Sequence, residues 1–185
     1  MKRLLLLAAL LTAMAAWAND LKDDSQPCYT FDSETGALTL ISGKFDCGVK
    51  WRDLVVADVK SVTATSDVSF TGDCQVLFYK FTNCESMDLS NVNTSEMTSA
   101  FSMFAFCESL TSLNISGWIM DNVTDMGDMF RRCKLLTSLD ISGWNTENVT
   151  DVGSLFFHCE SLTSLDLSGW NVANVWNMYS TRWRD

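Results

Sequence analysis

The chain has 185 residues, with 13 Lys and Arg against 23 Asp and Glu, giving a net charge of −10. So acidic a surface repels nucleic acid and anionic membrane and favours basic partners, which excludes nucleic-acid binding. The length suits one domain.

The first element in chain order is a leader. Lys2 and Arg3 precede an apolar run, Leu4 to Ala15, broken only by Thr12, and Ala16-Trp17-Ala18 reads as a small-x-small cleavage site. That pattern assigns residues 1–18 to a signal peptide. The run falls short of the roughly 20 residues a membrane-spanning helix needs. The first cysteine is Cys28, so no lipid anchor is expected at the cleavage point, and the polar end from Tyr179 carries no membrane tail. The expected location is secreted or cell surface, without membrane insertion after cleavage.

Residues 19–62 are expected to form an N-terminal β cap. Y-T-F-D, S-E-T-G and A-L-T-L read as strand, turn and strand, and Trp51 to Val62 leads into the next segment.

From residue 63 the chain repeats. Starting at Cys107 it reads C-E-S-L-T-S-L-N-I-S-G-W, from Cys133 C-K-L-L-T-S-L-D-I-S-G-W, and from Cys159 C-E-S-L-T-S-L-D-L-S-G-W, a step of 26 residues. A copy from Cys84 reads as three residues shorter at its front, and a degenerate copy over 63–83 precedes it. Leu162, Leu165 and Leu167 give L-x-x-L-x-L, a short strand with alternate residues inward, and Ser-Gly-Trp follows as a turn. Val123, Met126, Met129, Phe130 and Cys133 then recur at three-to-four spacing, the period of a short helix. Asn122 or Thr124 would cap it, and Asp125 would suit its positive end. The expected fold class is therefore α/β: a short leucine-rich-repeat-like solenoid of strand–turn–helix units over 63–185, behind the N-terminal β cap. One unit cannot bury its own apolar face, so neighbours must stack. Thr181, Arg182 and Asp185 stand where the preceding copy has Leu155, Phe156 and Cys159, a polar last turn that suits a terminal cap. A fragment of a longer array is the alternative.

These residues resemble the BspA-like family of leucine-rich-repeat surface proteins. Their 26-residue repeat is C-x-S-L-T-S-L-D-L-S-x-W-N-T-x-N-V-T-D-M-x-x-M-F, and the likeness covers Cys84 to about Met178. A-L-T-L-I-S-G, Trp51 and V-K-S-V-T-A also look like the lead-in before such repeats. The resemblance implies secreted or surface-exposed proteins of mucosal bacteria and some protozoa, with adhesion the usual role. It implies no catalytic residues. The short array and the lack of a visible anchoring domain depart from the family pattern.

Four columns recur through the copies. Cys84, Cys107, Cys133 and Cys159 read as buried free thiols, since neighbouring side chains would point in parallel and free cysteine is a buried residue type. A Cys28–Cys47 bridge in the cap stays open. Trp118, Trp144 and Trp170 would make either an exposed aromatic track or a corner filler, and Val92 stands in the short copy. Asp88, Asn114, Asp140 and Asp166 alternate outward beside Ser112, Ser138 and Ser164. Like charges opposite one another destabilise a sheet, so this column reads as a solvated face, a protein or glycan footprint, or a calcium ladder. The sequons at Asn93, Asn114, Asn122 and Asn148 matter only in a eukaryotic secretory pathway.

His158, the sole histidine, precedes Cys159, and chain neighbours do not face each other as a nucleophile and base must. No enzyme, cofactor or metal site is expected. The leading expectation is a binding protein for adhesion or host and partner recognition, taking a protein or glycan ligand on the sheet face. A self-assembling envelope protein is the alternative, and an exported enzyme a distant third.

Overall fold

The computed structural model describes residues 27–48, 56 and 58–181. The proposed signal segment and Trp51 lie outside the described residues.

The strands are Cys28–Asp32 (β1), Ala37–Phe45 (β2), Ser61–Asp73 (β3), Ser86–Asp88 (β4), Asn93–Ser99 (β5) and Ser112–Asn114 (β6), and apolar alternation is clearest in β2 and β3. β1 and β2 pair antiparallel around the turn at Gly36, whose φ of 74° is left-handed. Asp32 accepts the Glu34 N–H and the Thr35 hydroxyl there, which holds its carboxyl below the usual range. From β2 onward the pairing is parallel: β2 with β3, β3 with both β4 and β5, and β4 with β6. The result is one mixed six-stranded sheet. β3 crosses the expected cap boundary at residue 62, so the hairpin and the repeats share it.

The α/β solenoid of strand–turn–helix units does not form. Among the described residues there is no helix, and the fold is all strand and turn. The segment from Val123 to Cys133 explains why. Met129, Arg131 and Cys133 donate to the carbonyls of Met126, Asp128 and Phe130, three residues back. The alternate N–H groups of Met126, Asp128, Phe130 and Arg132 donate instead to Asp151, Gly153, Leu155 and Phe157 on the next copy, at 2.8–3.0 Å. A helix keeps its N–H groups inside itself; here half of them join neighbouring rungs. Asp128 and Arg132 sit at φ of 56° and 60°, and Ser102, Phe106, Ser154 and His158 repeat that geometry. Consecutive four-residue turns, each with one left-handed residue, bring apolar side chains inward at intervals that imitate a helical stripe.

The expected caps therefore have other partners. Asn122 donates its amide to Ser95 O at 2.8 Å, Thr124 its hydroxyl to Thr98 O at 3.4 Å, and Asp125 accepts the Gly127 N–H at 2.8 Å.

The register also corrects the alignment of the first copies. Ser86 pairs with Ser112, and Phe78 stacks on Phe104, both at the full 26-residue step. No residues are missing before Met87. Cys84 donates its N–H to Phe81 O as Leu110 does to Cys107 O, so Cys84 occupies the leucine position and Phe81 the cysteine position.

Between these walls lies one core. Phe78, Phe104, Phe130 and Phe156 stack face to face with centroids 5.4–5.7 Å apart and planes within 4°. Such rings bury large areas, and an offset stack adds about 0.5–1.5 kcal/mol per pair.

Candidate functional site

On β4 and β6 the middle residue is buried and its two neighbours are exposed. Met87 and Leu113 therefore point into the core, and Ser86, Asp88, Ser112 and Asn114 point out. Asp140 and Asp166 continue the outward row two and three rungs on, with Ser138 and Ser164 beside them as a parallel bridge.

Each member of the row first holds its own turn. Asp88 Oδ1 accepts the Ser90 hydroxyl at 2.7 Å, Asn114 Oδ1 that of Ser116 at 2.8 Å, and Asp140 Oδ1 that of Ser142 at 2.9 Å. Asp166 Oδ1 accepts the Ser168 N–H at 2.9 Å. The Ser168 N–H, then its hydroxyl, holds the Asp166 carboxyl below the ordinary range. Turn chemistry, rather than a ligand, thus accounts for the recurrent D-x-S. Charge is handled differently along the row. The Asn114 amide donates to Asp88 at 3.1 Å, whereas Asp140 and Asp166 are two acceptors on successive rungs. Between those two lies a groove of about 490 Å³ lined by Ser138, Leu139, Asp140, Ser142, Ser164, Leu165 and Asp166.

The tryptophans are not an exposed track. Trp118 and Trp144 are 4% and 5% exposed and Trp170 is partly buried. Trp118 Nε1 donates to Leu89 O at 3.0 Å and Trp170 Nε1 to Ile141 O at 3.3 Å, while Trp144 stacks on Phe130 and Trp170. A buried indole needs one acceptor for its N–H, and the corner of the previous rung supplies it. These three residues are removed from the candidate site.

The cysteines are all free thiols, Cys28 and Cys47 included. Cys107, Cys133 and Cys159 are buried and donate to Phe78 O, Phe104 O and Phe130 O. Burial pushes their thiols upward, Cys159 to about 12. His158 lies 3.7 Å from Glu160, and the Cys159 thiol is directed at Phe130 O.

The family model described as Mycoplasma protein of unknown function, DUF285, matches residues 53–183. The chain belongs to this family. Neither the curated proteins nor the solved structures supply a match. The DUF285 segment contains β3 to β6 and the whole outward row; the β1–β2 hairpin precedes it.

Within the DUF285 segment lies a second polar row that sequence reasoning missed. Ser99, Asp125, Asp151 and Asn177 bridge one another in parallel, and Ser99 also pairs with Asp73. The D-x-G at Asp125–Gly127 and Asp151–Gly153 is its visible mark, an Asx turn that resembles the start of a helix. Near the end of the same repeat stand three cations, Arg131, Arg132 and Lys134. Arg131 lies over the rings of Phe106 and Phe157 and binds Asp128 at 3.1 Å, and Lys134 binds Glu108 at 3.0 Å. Among the described residues no group of three or more His, Cys, Asp or Glu side chains is arranged to hold a metal ion.

Proposed function

We propose that this DUF285 chain is a secreted or cell-surface binding module, acting in adhesion or partner recognition through the outward row. The reading is of binding, not catalysis. One observation carries it: the groove between Asp140 and Asp166, which these two carboxylate residues line together with Ser138, Ser142 and Ser164. Such a surface offers acceptors to a basic protein segment or a hydroxyl-rich glycan. The signal-like leader and the resemblance to surface-protein repeats support display outside the cell.

Immobilised protein exposed to a panel of matrix proteins and mucin glycans tests this, with the Asp140→Asn, Asp166→Asn double variant beside it. The variant should bind more slowly, most visibly at low ionic strength where steering is least screened. Both residues leave the core untouched, so its melting should match the wild type. Wild-type association rates in the double variant would remove the groove from the site.

A second reading, a self-assembling envelope protein, is favoured by the last described rung. Trp176, Met178 and Tyr179 are 76%, 54% and 78% exposed there. Concentration-dependent light scattering, lost in Trp176→Ser, would support it over the first.

A further inference from the structure

From Phe81 to Thr181 the chain's only lysine and arginine residues are Arg131, Arg132 and Lys134, together on one rung of an otherwise acidic segment. The repeat does not require them. In the register set by the stacked Phe104, Phe130 and Phe156, the preceding copy places Ala105, Phe106 and Glu108 at these positions. The following copy places Phe157, His158 and Glu160 there. Local pairing accounts for two of the cations: Arg131 binds Asp128 at 3.1 Å, and Lys134 binds Glu108 at 3.0 Å. Arg132 is the surplus charge. It approaches Glu108 only to 3.9 Å, beyond hydrogen-bond range, with its side chain 39% exposed.

Rings hold that charge in place. Arg132 Cζ lies 5.3 Å from the centre of the Phe106 ring, and Arg131 lies over both Phe106 and Phe157. Tyr79 meets Phe106 edge-on at 5.4 Å and carries Lys80 over its own ring at 5.2 Å. These contacts run unbroken across four rungs, three steps of about 4.8 Å each. Cations and partly exposed rings alternate along the strip. A guanidinium resting on a ring keeps its charge and is pre-oriented to meet two oxygens of one anionic group. We propose that this strip binds an acidic polysaccharide. Its sulfate or carboxylate groups pair with Arg132, beside Lys134, and its sugar rings lie against Phe106 and Phe157. The rings between the cations favour a sugar chain over an acidic peptide, because a sugar offers flat C–H faces between its anionic groups. The strip shares no residue with the groove between Asp140 and Asp166, so it stands whether or not that groove binds.

Binding of the full chain to immobilised dextran sulfate, hyaluronan, neutral dextran and polyglutamate tests this. The chain should bind dextran sulfate or hyaluronan, which separates a sulfate from a carboxylate, and should ignore neutral dextran. Arg132→Gln with Lys134→Gln should weaken that binding about tenfold or more, the loss of a charge-assisted hydrogen bond. Lys44→Gln with Lys60→Gln removes the same charge elsewhere and should keep the wild-type affinity. Lys134→Gln alone leaves Arg132 on its ring, guards against an unfolded double variant, and should still weaken binding severalfold. Asp140→Asn with Asp166→Asn should bind at least as tightly as the wild type, since it removes repulsion. Unchanged affinity in the Arg132 and Lys134 variants would overturn the proposal, as would an equal loss in the Lys44 and Lys60 control. Polyglutamate bound as tightly as the polysaccharides would overturn it too, and so would loss of binding in the groove variant.

Discussion

The thiol of Cys133 donates to the carbonyl oxygen of Phe104 on the preceding rung, at 3.3 Å. Cys107 and Cys159 repeat the same bond one rung either side, at 3.2 and 3.0 Å. Each sulfur therefore points at backbone rather than at the next sulfur. Alkylation before unfolding should leave these three cysteines unmodified, and alkylation after unfolding should label all of them. A Cys107–Cys133 or Cys133–Cys159 bridge in non-reducing mass spectrometry would contradict this.

The same burial has a pH consequence. Thiols raised in the fold stabilise it fully below the unfolded thiol value of about 8.5, and that contribution is lost as pH rises toward the folded values. Cys159 reaches about 12. Urea midpoints should fall progressively over that alkaline window, and Cys159→Ala should flatten the fall.

Leu139 and Thr137 sit two residues apart on one rung, the first 7% exposed and the second exposed. Leu139→Ala should destabilise by about 2–5 kcal/mol, the range for a truncated buried leucine. Thr137→Ala should cost under about 1 kcal/mol. Denaturant titration of the two variants checks the inward and outward assignment, and equal losses would mean it is wrong.

The asparagines at Asn122, Asn148 and Asn174, one per repeat, are cross-rung ties. Asn148 donates to Asp121 O at 2.7 Å and Asn174 to Glu147 O at 2.7 Å, as Asn122 does to Ser95 O. Asn148→Ala should lower stability by about 0.5–1.5 kcal/mol, a net hydrogen bond. Glu147→Ala, one residue away on the surface, should stay within about 0.5 kcal/mol.

Trp118→Phe should separate packing from binding. It keeps a ring in the corner and removes the indole N–H from Leu89 O, which still accepts the Val92 N–H, so it should cost about 0.5–1.5 kcal/mol, one net hydrogen bond. Ligand association in the surface assay should be unchanged, because the ring does not reach the outward face.

The legible parts of the fold are those written in side-chain alternation. The period from Cys107 to Cys159 and the outward placement of Asp88, Asn114, Asp140 and Asp166 can both be read from residues. The helix cannot be tested that way, because Met126, Met129, Phe130 and Cys133 point inward under either backbone. What separates a helix from successive turns is where the N–H groups go and whether Asp128 and Arg132 take a positive φ, and no side chain there announces that choice. Glycine or asparagine would have. The offset at Cys84 misleads for a simpler reason: matching cysteine to cysteine outweighs the spacing, and Phe81 holds the true position. The Trp column is ambiguous because an indole serves a corner and a ligand surface alike.

The bonds that replace a helix's internal ladder run from rung to rung, along the axis of the stack. Force applied between the two ends would load them in series, so rungs should peel away one at a time instead of shearing together. Each released repeat of 26 residues would lengthen the tether by roughly 90 Å of extended chain. A protein standing between two surfaces would then yield under drag in small, recoverable steps rather than in one rupture.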